Sequence, residues 1–331
     1  MDRIRASALL LSMLAAVALS PPILAAGPEP SSHIVITCHA VPLDPSNASL
    51  STVGRLRFVS GLALNSRDRN FGGWSDLWVG ASGGELIALS DRAHWLRCRI
   101  MMDGAGSLMG LADAEIIPML DPKGRPLIPP RSDAESMVST AEGRILSFEG
   151  RHRLVLYPGE WPFTLESREI PAPPGLSSAP DNQGIEASVA LADGSLVFFT
   201  EGLKAEGGLR AWIRRSVGDY LPLVYVPAPG FAPTAATRLP SGDILVLERR
   251  LSILEGWQAR IVRVEAGAFD GGARIVGEEL ALISSPLTVD NFEGISAMAS
   301  PDGQGTLIYI LSDDNFMFFE RTLLLQFSYE G

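Results

Sequence analysis

The sequence predicts an all-β protein, because three features recur along its 331 residues. Apolar runs of roughly four to eight residues alternate with turns, and long helical periodicity is hard to find. Glycine and proline, 33 and 24 residues respectively, are spread along the chain and mark those turns. A single local plan also repeats at intervals of about 50 residues, a period typical of arrays of similar small sheets.

The first 26 residues have the pattern of a secretory leader. Basic Arg3 and Arg5 precede an apolar run over 6–19. Small residues follow that run, and the expected cleavage site lies after Ala26. That run is too short for a typical spanning helix, although an uncleaved anchor is the alternative. We therefore expect a periplasmic or secreted protein of residues 27–331, with no membrane span once the leader is removed.

Charge, cysteine and histidine content narrow the classes of function. The net charge of −11 argues against a nucleic-acid partner, whose phosphates would be repelled. Cys38 and Cys98 could pair in an oxidising compartment or remain two separate thiols, and the sequence leaves both open. The four histidines show no zinc-ligand spacing, so a zinc enzyme is not expected. The mature chain is expected to be one domain and a monomer.

Five segments share one plan: a small or acidic opener, an apolar strand, a glycine turn and a second strand ending in an acid. They are residues 74–91, 133–149, 184–201, 233–248 and 292–313. With Asp76, Glu135, Glu186, Thr234 and Glu293 taken as equivalents, the steps are 59, 51, 48 and 59 residues. Each step leaves room for two more strands. Four antiparallel strands per unit predict a β-propeller of five or six blades, whereas a two-sheet sandwich would not explain the period.

The last unit contains only three strands before the chain ends. An N-terminal strand, from either 33–41 or 55–64, is expected to supply the fourth strand and close the ring. Residues 33–65 could instead belong to a sixth, degenerate blade.

Acidic residues at the two ends of each hairpin are expected to meet at one rim of the central channel. The first strand of a blade begins where its antiparallel second strand ends. So many carboxylates would repel each other unless a cation lay among them, and calcium takes six to eight oxygen ligands in irregular geometry. The expected ligands are Asp76, Glu135, Glu186, Glu293, Asp91, Glu201, Asp313 and Asn291, with Asn182 and Asn315 nearby and Glu149 and Glu248 as further closing acids. The alternative is that these acids are hydrated turn residues.

Basic residues beside these acids could hold an anionic substrate. Arg92, Arg249 and Arg321 are the candidates, with Lys204 and Arg250 close by. The alternative is that they form ordinary surface ion pairs. The GxSxG match at residues 80–84 falls in the glycine turn of the first unit, between two predicted strands, so an α/β-hydrolase elbow is not supported. His94 is the candidate general base, with a turn histidine as the alternative.

Several stretches together resemble the phytase-like domain family, whose members are described as having esterase-like activity of phytase. They are "FGGWSDLWV" and "GGELIALSDRAHW" (71–95), "DAESM" (133–137), "NQGIEA" (182–187), "PTAATRLPSGDILVLERR" (233–250) and "NFEGISA", "ILSDDNF" and "RTLLLQF" within 291–327. The resemblance implies an exported β-propeller loosely related to calcium-dependent propeller phytases, which hydrolyse phosphate esters. Several family glycines are replaced here while the acids are kept. The family's "DxEG" is "DAES" with Ser136, its "EG" is "EA" with Ala187, its "SGLA" is "SDLW" and its "SDRG" is "SDRA".

The sequence thus favours a calcium-assisted hydrolase of a phosphoester or another small ester. Asp76, Glu135, Glu186 and Glu293 are the candidate catalytic residues, as ligands or base. Two alternatives remain: a non-catalytic propeller that binds a ligand or protein in the cell envelope, and a lactonase-type metal hydrolase. The fold alone does not choose among them.

Overall fold

The computed structural model describes residues 32–163, 165–271 and 274–331, and nearly all of its regular structure is β-strand. The expected leader, residues 1–26, lies outside the described residues. The strands are β1 (Ser32–Ile34), β2 (Ile36–Ala40), β3 (Thr52–Val53), β4 (Leu56–Ser66), β5 (Trp74–Val79), β6 (Glu85–Ser90), β7 (His94–Met102), β8 (Leu108–Pro118), β9 (Ala134–Thr140), β10 (Gly143–Phe148), β11 (Arg153–Pro158), β12 (Arg168–Ile170), β13 (Ile185–Ala190), β14 (Leu196–Ala205), β15 (Gly208–Ser216), β16 (Asp219–Tyr225), β17 (Ala232–Arg238), β18 (Ile244–Ser252), β19 (Gly256–Val264), β20 (Arg274–Ile275), β21 (Glu278–Ser284), β22 (Asn291–Ala299), β23 (Thr306–Asp313) and β24 (Thr322–Tyr329). Helical turns are short: a 3-10 turn (Leu176–Ser178) and α1 (Ala268–Gly271).

The strands form five sheets, which are the five blades of a β-propeller, and every pairing is antiparallel except that of the short β20 with β16 at the outer edge of the third blade. From the inner strand outwards the blades are β5-β6-β7-β8, β9-β10-β11-β12, β13-β14-β15-β16, β17-β18-β19-β21 and β22-β23-β24-β4. The inner strand of each blade contacts the inner strand of the next, and β22 of the fifth blade contacts β5 of the first. The expected propeller is therefore confirmed, and its number of blades is five.

The N-terminal strands lie at the outer edges of two blades. Strand β4 pairs antiparallel with β24, so residues 56–66 provide the fourth strand of the fifth blade. Strand β2 extends that sheet further, whereas β1 pairs with β8 of the first blade. Of the two segments that the sequence offered for the fourth strand, the later one occupies it.

The hydrophobic core is divided among the interfaces between neighbouring blades. The second strand of each blade is buried on both faces. This explains why β23, "TLIYILSD", is mostly apolar and is buried at every position. Trp74 and Leu77 of the first blade, for example, share one cluster with Tyr309 of the fifth. Cys98 is buried in the same cluster with Cys38 against it, and both thiols are free.

No helix in the described part of the chain is long and apolar enough to cross a membrane.

A carboxylate-lined site at the channel mouth

A β-bulge interrupts the pairing of the first two strands in every blade. In the fifth blade, Phe292 faces Ser312 and Gly294 faces Leu311, so Glu293 is the extra residue. A bulge residue has no partner of its own, and the bend re-aims its side chain. The bulge residues of the five blades are Ser75, Glu135, Glu186, Thr234 and Glu293, here called the bulge ring.

A second ring of residues lies where the second strand of each blade ends. Its members, called the closing ring, are Asp91, Glu149, Glu201, Arg249 and Asp313. Each residue of the closing ring lies opposite the residue two positions before the bulge of its blade. In the second blade, for example, the Glu149 N–H donates to the Asp133 carbonyl at 2.8 Å. Bulge and closing rings therefore share one end of the channel, which we call the mouth.

The register corrects two equivalences expected from the sequence by one residue each. The bulge residue of the first blade is Ser75, not Asp76, and the closing residue of the fourth blade is Arg249, not Glu248. A shift of one residue along a strand turns the side chain to the other face.

Asp76 and Glu248 accordingly serve the packing between blades. Asp76 is 2% exposed and accepts hydrogen bonds from the backbone N–H groups of Leu77 and Met137, both at 2.8 Å. Glu248 accepts a hydrogen bond from Tyr225 Oη at 2.7 Å and forms an ion pair with Arg260. Neither belongs to the ring positions that meet at the mouth.

The carboxylates of the mouth raise one another's pKa. Burial raises the pKa of Glu135 and Glu186 well above the ordinary value, and the nearby Asp133, Glu149 and Glu293 carboxylates raise that of Glu135 further. Burial also raises the pKa of Glu149 to about 7, although a hydrogen bond with Glu186 opposes the shift. At neutral pH the folded chain therefore holds protons here that isolated carboxylates would have lost.

Carboxylates of the fifth and first blades also have raised pKa values. Burial and then the Glu293 carboxylate raise the pKa of Asp313 to about 9. Burial raises the pKa of Asp91 to about 7 against the opposing charge of Arg92. Carboxylates from four of the five blades thus influence each other across the mouth.

Arg249 places a cation among these acids. Its Nη2 donates to Glu201 Oε1 at 3.0 Å, while its Nη1 donates to Asn291 Oδ1 at 2.5 Å and to Glu293. Asn291 in turn donates from Nδ2 to Glu293 Oε1 at 2.9 Å. Burial opposes the charge on Arg249, but these carboxylates outweigh it and raise the pKa of the guanidinium. Arg249 therefore neutralises one side of the mouth and leaves the other side acidic.

The uncompensated side contains a group of carboxylates with the arrangement of a cation site. One oxygen from each of Asp133, Glu135 and Glu149 lies within 4.8 Å of the others. Hard carboxylate oxygens without sulfur or imidazole suit calcium, which accepts variable numbers of such ligands. Asp133 precedes the bulge by two residues and was not among the ligands expected from the sequence, although it stands within the quoted "DAESM".

Ser75 gives an independent indication that the mouth receives a ligand. It occupies the first blade's place in the bulge ring, is 2% exposed, and its Oγ has no hydrogen-bond partner within the described residues. A buried hydroxyl without a partner is costly, so such groups commonly await a water, an ion or a substrate. The donor set of Asp133, Glu135 and Glu149 fits a divalent cation, and Ser75 Oγ is a further unpartnered oxygen of the bulge ring.

The other residues expected from the sequence lie around the mouth in separate contacts. Arg92 covers the Phe316 ring at 3.2 Å from its centroid, and Arg321 Nε donates to Asp290 Oδ2 at 3.1 Å. Asn315 donates from Nδ2 to Glu320 Oε2 and from its backbone N–H to Asp313 Oδ1, both at 2.7 Å. Further residues expected nearby are placed at the surface (Asn182, Lys204) or half-buried (His94, Arg250).

A cleft of about 390 Å³ opens beside Glu201, between the third and fourth blades. Gln183, Lys204 and Phe231 are among the residues that line it. Its volume is within the range of small-molecule pockets. The cleft therefore offers space for the body of a small substrate next to the carboxylates.

Fold and site together define a five-bladed β-propeller whose channel opens into a buried group of carboxylates. The family model of Phytase-like proteins, described as "esterase-like activity of phytase", matches residues 69–316, and the chain belongs to this family. The comparison with curated proteins finds no match.

Several solved structures are similar to this chain in fold, at low sequence identity. A hypothetical protein from Leishmania major is 11% identical with a TM-score of 0.44, over 79% of this chain and 88% of its own. A protein of unknown function from Dyadobacter fermentans is 13% identical with a TM-score of 0.42, over 90% and 92%. A gluconolactonase from Xanthomonas campestris is 10% identical with a TM-score of 0.40, over 93% and 98%. These likenesses are too distant to bear on function.

Proposed function

We propose that this chain is an exported hydrolase of small esters that uses a divalent cation, calcium, at the channel mouth. The observation that carries the proposal is the group of Asp133, Glu135 and Glu149, whose oxygens lie within 4.8 Å of one another at a buried end of the channel. Membership of a family described by esterase-like activity supports hydrolysis, and the leader expected at residues 1–26 supports export.

The proposed cation would be held by the same three carboxylates, and it would supply Lewis-acid polarisation of the ester. Two other groups suit proton transfer. Burial raises the pKa of Glu186 well above its ordinary value, which suits an acid that gives a proton to the leaving oxygen. The pKa of Asp91, about 7 because of burial, suits a base that accepts a proton from the attacking water.

The pairing of two guanidinium groups at the mouth favours an uncharged ester over a phosphate ester as the substrate. The guanidinium of Arg249 is engaged by Glu201 and Glu293, and that of Arg321 by Asp290. A phosphate dianion would find the Arg249 and Arg321 guanidinium groups already paired with carboxylates, so only the proposed cation and Arg92 would remain to attract it. A carboxylic ester or a lactone brings no such charge.

Turnover of an ester panel tests the proposal. Metal-free protein, with and without added calcium, would be assayed on p-nitrophenyl acetate, γ-butyrolactone and p-nitrophenyl phosphate. We expect calcium-dependent hydrolysis of the first two, reduced on the order of 10²-fold or more in Glu135→Gln. Glu142→Gln, an exposed carboxylate on the same β9–β10 hairpin, is the matched control and should retain the activity.

Calcium binding without turnover above the blank on any of these esters would overturn the enzymatic proposal. That outcome would favour the non-catalytic alternative, in which the mouth binds a ligand with the cation in a structural role.

A further inference from the structure

A second cavity lies at the opposite end of the propeller from the mouth. It has a volume of about 500 Å³ and is lined by residues of the first two blades. Trp78 stands near the end of β5, Glu85 begins β6, and Gly143 begins β10, so this cavity lies where the inner hairpins turn. It shares no lining residue with the carboxylate rings. We call it the base cavity.

Arg144 brings a positive charge into the base cavity without using all of its donors. The Nη1 atom is buried and has no hydrogen-bond partner in the described part of the chain. Burial lowers the pKa of the guanidinium to about 10, so it remains a cation at neutral pH. A buried donor that makes no hydrogen bond lowers the stability of the folded chain. Arg144 Nη1 is therefore a candidate donor for an oxygen atom of a ligand.

The carboxylates nearest to Arg144 are occupied by other contacts. Glu85 accepts a hydrogen bond from Arg97 Nε at 2.5 Å, and Asp76 accepts from two backbone amides between the blades. Glu160, the third nearby acid, is at the surface. Within the described residues Arg144 Nη1 has no hydrogen-bond acceptor, so an oxygen of a ligand in the cavity would supply one.

Aromatic rings form much of the remaining wall. The Arg144 guanidinium covers the Trp78 ring at 4.2 Å from its centroid, and Trp161 packs edge-on against Phe163 at 6.0 Å. Arg97 approaches the Trp161 ring at 5.7 Å. A flat apolar body could stack on such a surface, since planar rings and guanidinium groups both attract it.

We propose that the base cavity binds a small organic oxyanion with an apolar or aromatic body. One oxygen of the carboxylate or phosphate accepts a hydrogen bond from Arg144 Nη1, and the body lies against Trp78 and Trp161. The site is separate from the channel mouth, so it stands whether or not the mouth hydrolyses esters.

Isothermal titration calorimetry with simple probes tests this site in the whole chain. The probes are benzoate, phenyl phosphate, inorganic phosphate and benzyl alcohol, the last having the ring without the charge. We expect benzoate or phenyl phosphate to bind at least tenfold more tightly than benzyl alcohol, and their comparison distinguishes a carboxylate from a phosphate ligand. Quenching of tryptophan fluorescence on binding should accompany the heat.

Two variants keep the test independent of folding. Arg144→Met retains an apolar stem of similar length and should lose at least tenfold in affinity for the oxyanion. Because it removes a half-buried guanidinium whose Nη1 has no acceptor, its ligand-free melting temperature should equal or exceed that of the parent chain. Arg238→Met is the matched control, since Arg238 is an exposed arginine at the same end of the inner strand β17, and binding should be unchanged.

Three results would overturn the proposal: no binding of either aromatic anion at millimolar concentration, equal binding by Arg144→Met, or a lowered ligand-free melting temperature in that variant. The last would show that Arg144 supports the packing of the blades rather than a ligand.

Discussion

Replacing Arg249 by methionine should destabilise the metal-free protein strongly at neutral pH. The change removes the hydrogen bonds to Glu201 and Asn291, at 3.0 and 2.5 Å, and the contact with Glu293. Removing one partner of a buried ion pair costs about 3–5 kcal/mol. The lower end applies here, because the Arg249, Glu201 and Glu293 side chains keep 16%, 20% and 12% exposure.

The melting temperature converts this loss into a measurable shift. Unfolding entropies of about 2.1 cal/mol/K per residue give roughly 0.6 kcal/mol/K for a domain of about 300 residues, so ~3 kcal/mol lowers Tm by about 5 °C. Circular dichroism at 218 nm, an ordinary β-sheet wavelength, would follow unfolding at pH 7 with a chelator present. Burial raises the pKa of Glu293, so protonation of this partner at acidic pH should reduce the difference between variant and parent.

The neighbouring Arg250 provides the matched control. Its side chain is 32% exposed, pairs with Glu255 at 3.0 Å and donates from Nε to Gln258 Oε1 at 2.7 Å. An exposed ion pair contributes about 0–1 kcal/mol and a neutral hydrogen bond about 1 kcal/mol, so Arg250→Met should melt within about 3 °C of the parent chain. A shift as small as this in Arg249→Met at pH 7 would refute the view that the guanidinium holds the mouth together.

Three further predictions concern the acids and the backbone around them. Burial raises the pKa of Asp91 and Glu149 to about 7 and that of Asp313 to about 9, so the folded chain binds more protons than the unfolded chain between about pH 5 and 9. The unfolding free energy of the metal-free protein should then fall as pH rises through that window, by about 1.4 kcal/mol per pH unit for each such proton. Urea unfolding that shows the free energy rising with pH would contradict this sign. Asp76→Ala should lower the unfolding free energy by about 2–4 kcal/mol, because two buried backbone amides lose their acceptor. The calcium affinity should stay unchanged, and a lower affinity in calorimetry would show that Asp76 belongs to the cation site. Gly73→Ala should lower the unfolding free energy by about 1–3 kcal/mol, because the φ of Gly73 is +64° and a Cβ there would overlap Asp91 Oδ1. Urea unfolding that shows no change would indicate that this backbone can move.

The repeat in the sequence predicted the blades because each hairpin carries its own turn and apolar strands. The five inner hairpins lie where the 50-residue period placed them, from β5–β6 at 74–90 to β22–β23 at 291–313. The count of five rather than six required the pairing of β4 with β24, which joins residues far apart in sequence. Short-range patterns do not determine such a pairing.

The ring positions could be predicted only to within one residue, since a bulge leaves little trace in a single strand. Matching acid to acid aligned Asp76 with Glu293. Matching the buried apolar residue that precedes the bulge, Trp74 with Phe292, would have aligned Ser75 with Glu293 instead. The sequence carried that signal, but the shared acidic character of the openers obscured it.

Other parts of the site depend on contacts between blades and lie beyond sequence patterns. Arg249 was expected to bind an anionic substrate, but the structure places it between Glu201 and Glu293, which belong to two other blades. The unpaired Nη1 of Arg144 likewise follows from the packing of the first two blades. Its own segment, "EGRILSFEG", reads as an ordinary strand.

Calcium titration of the metal-free protein by calorimetry tests the central claim most directly. The parent chain and Glu142→Gln should bind calcium with a dissociation constant of about 10⁻³ M or tighter, whereas Glu135→Gln should bind at least tenfold more weakly while remaining folded. Equal affinity in Glu135→Gln and Glu142→Gln, or no calcium binding by the folded parent chain, would contradict a cation site at the mouth.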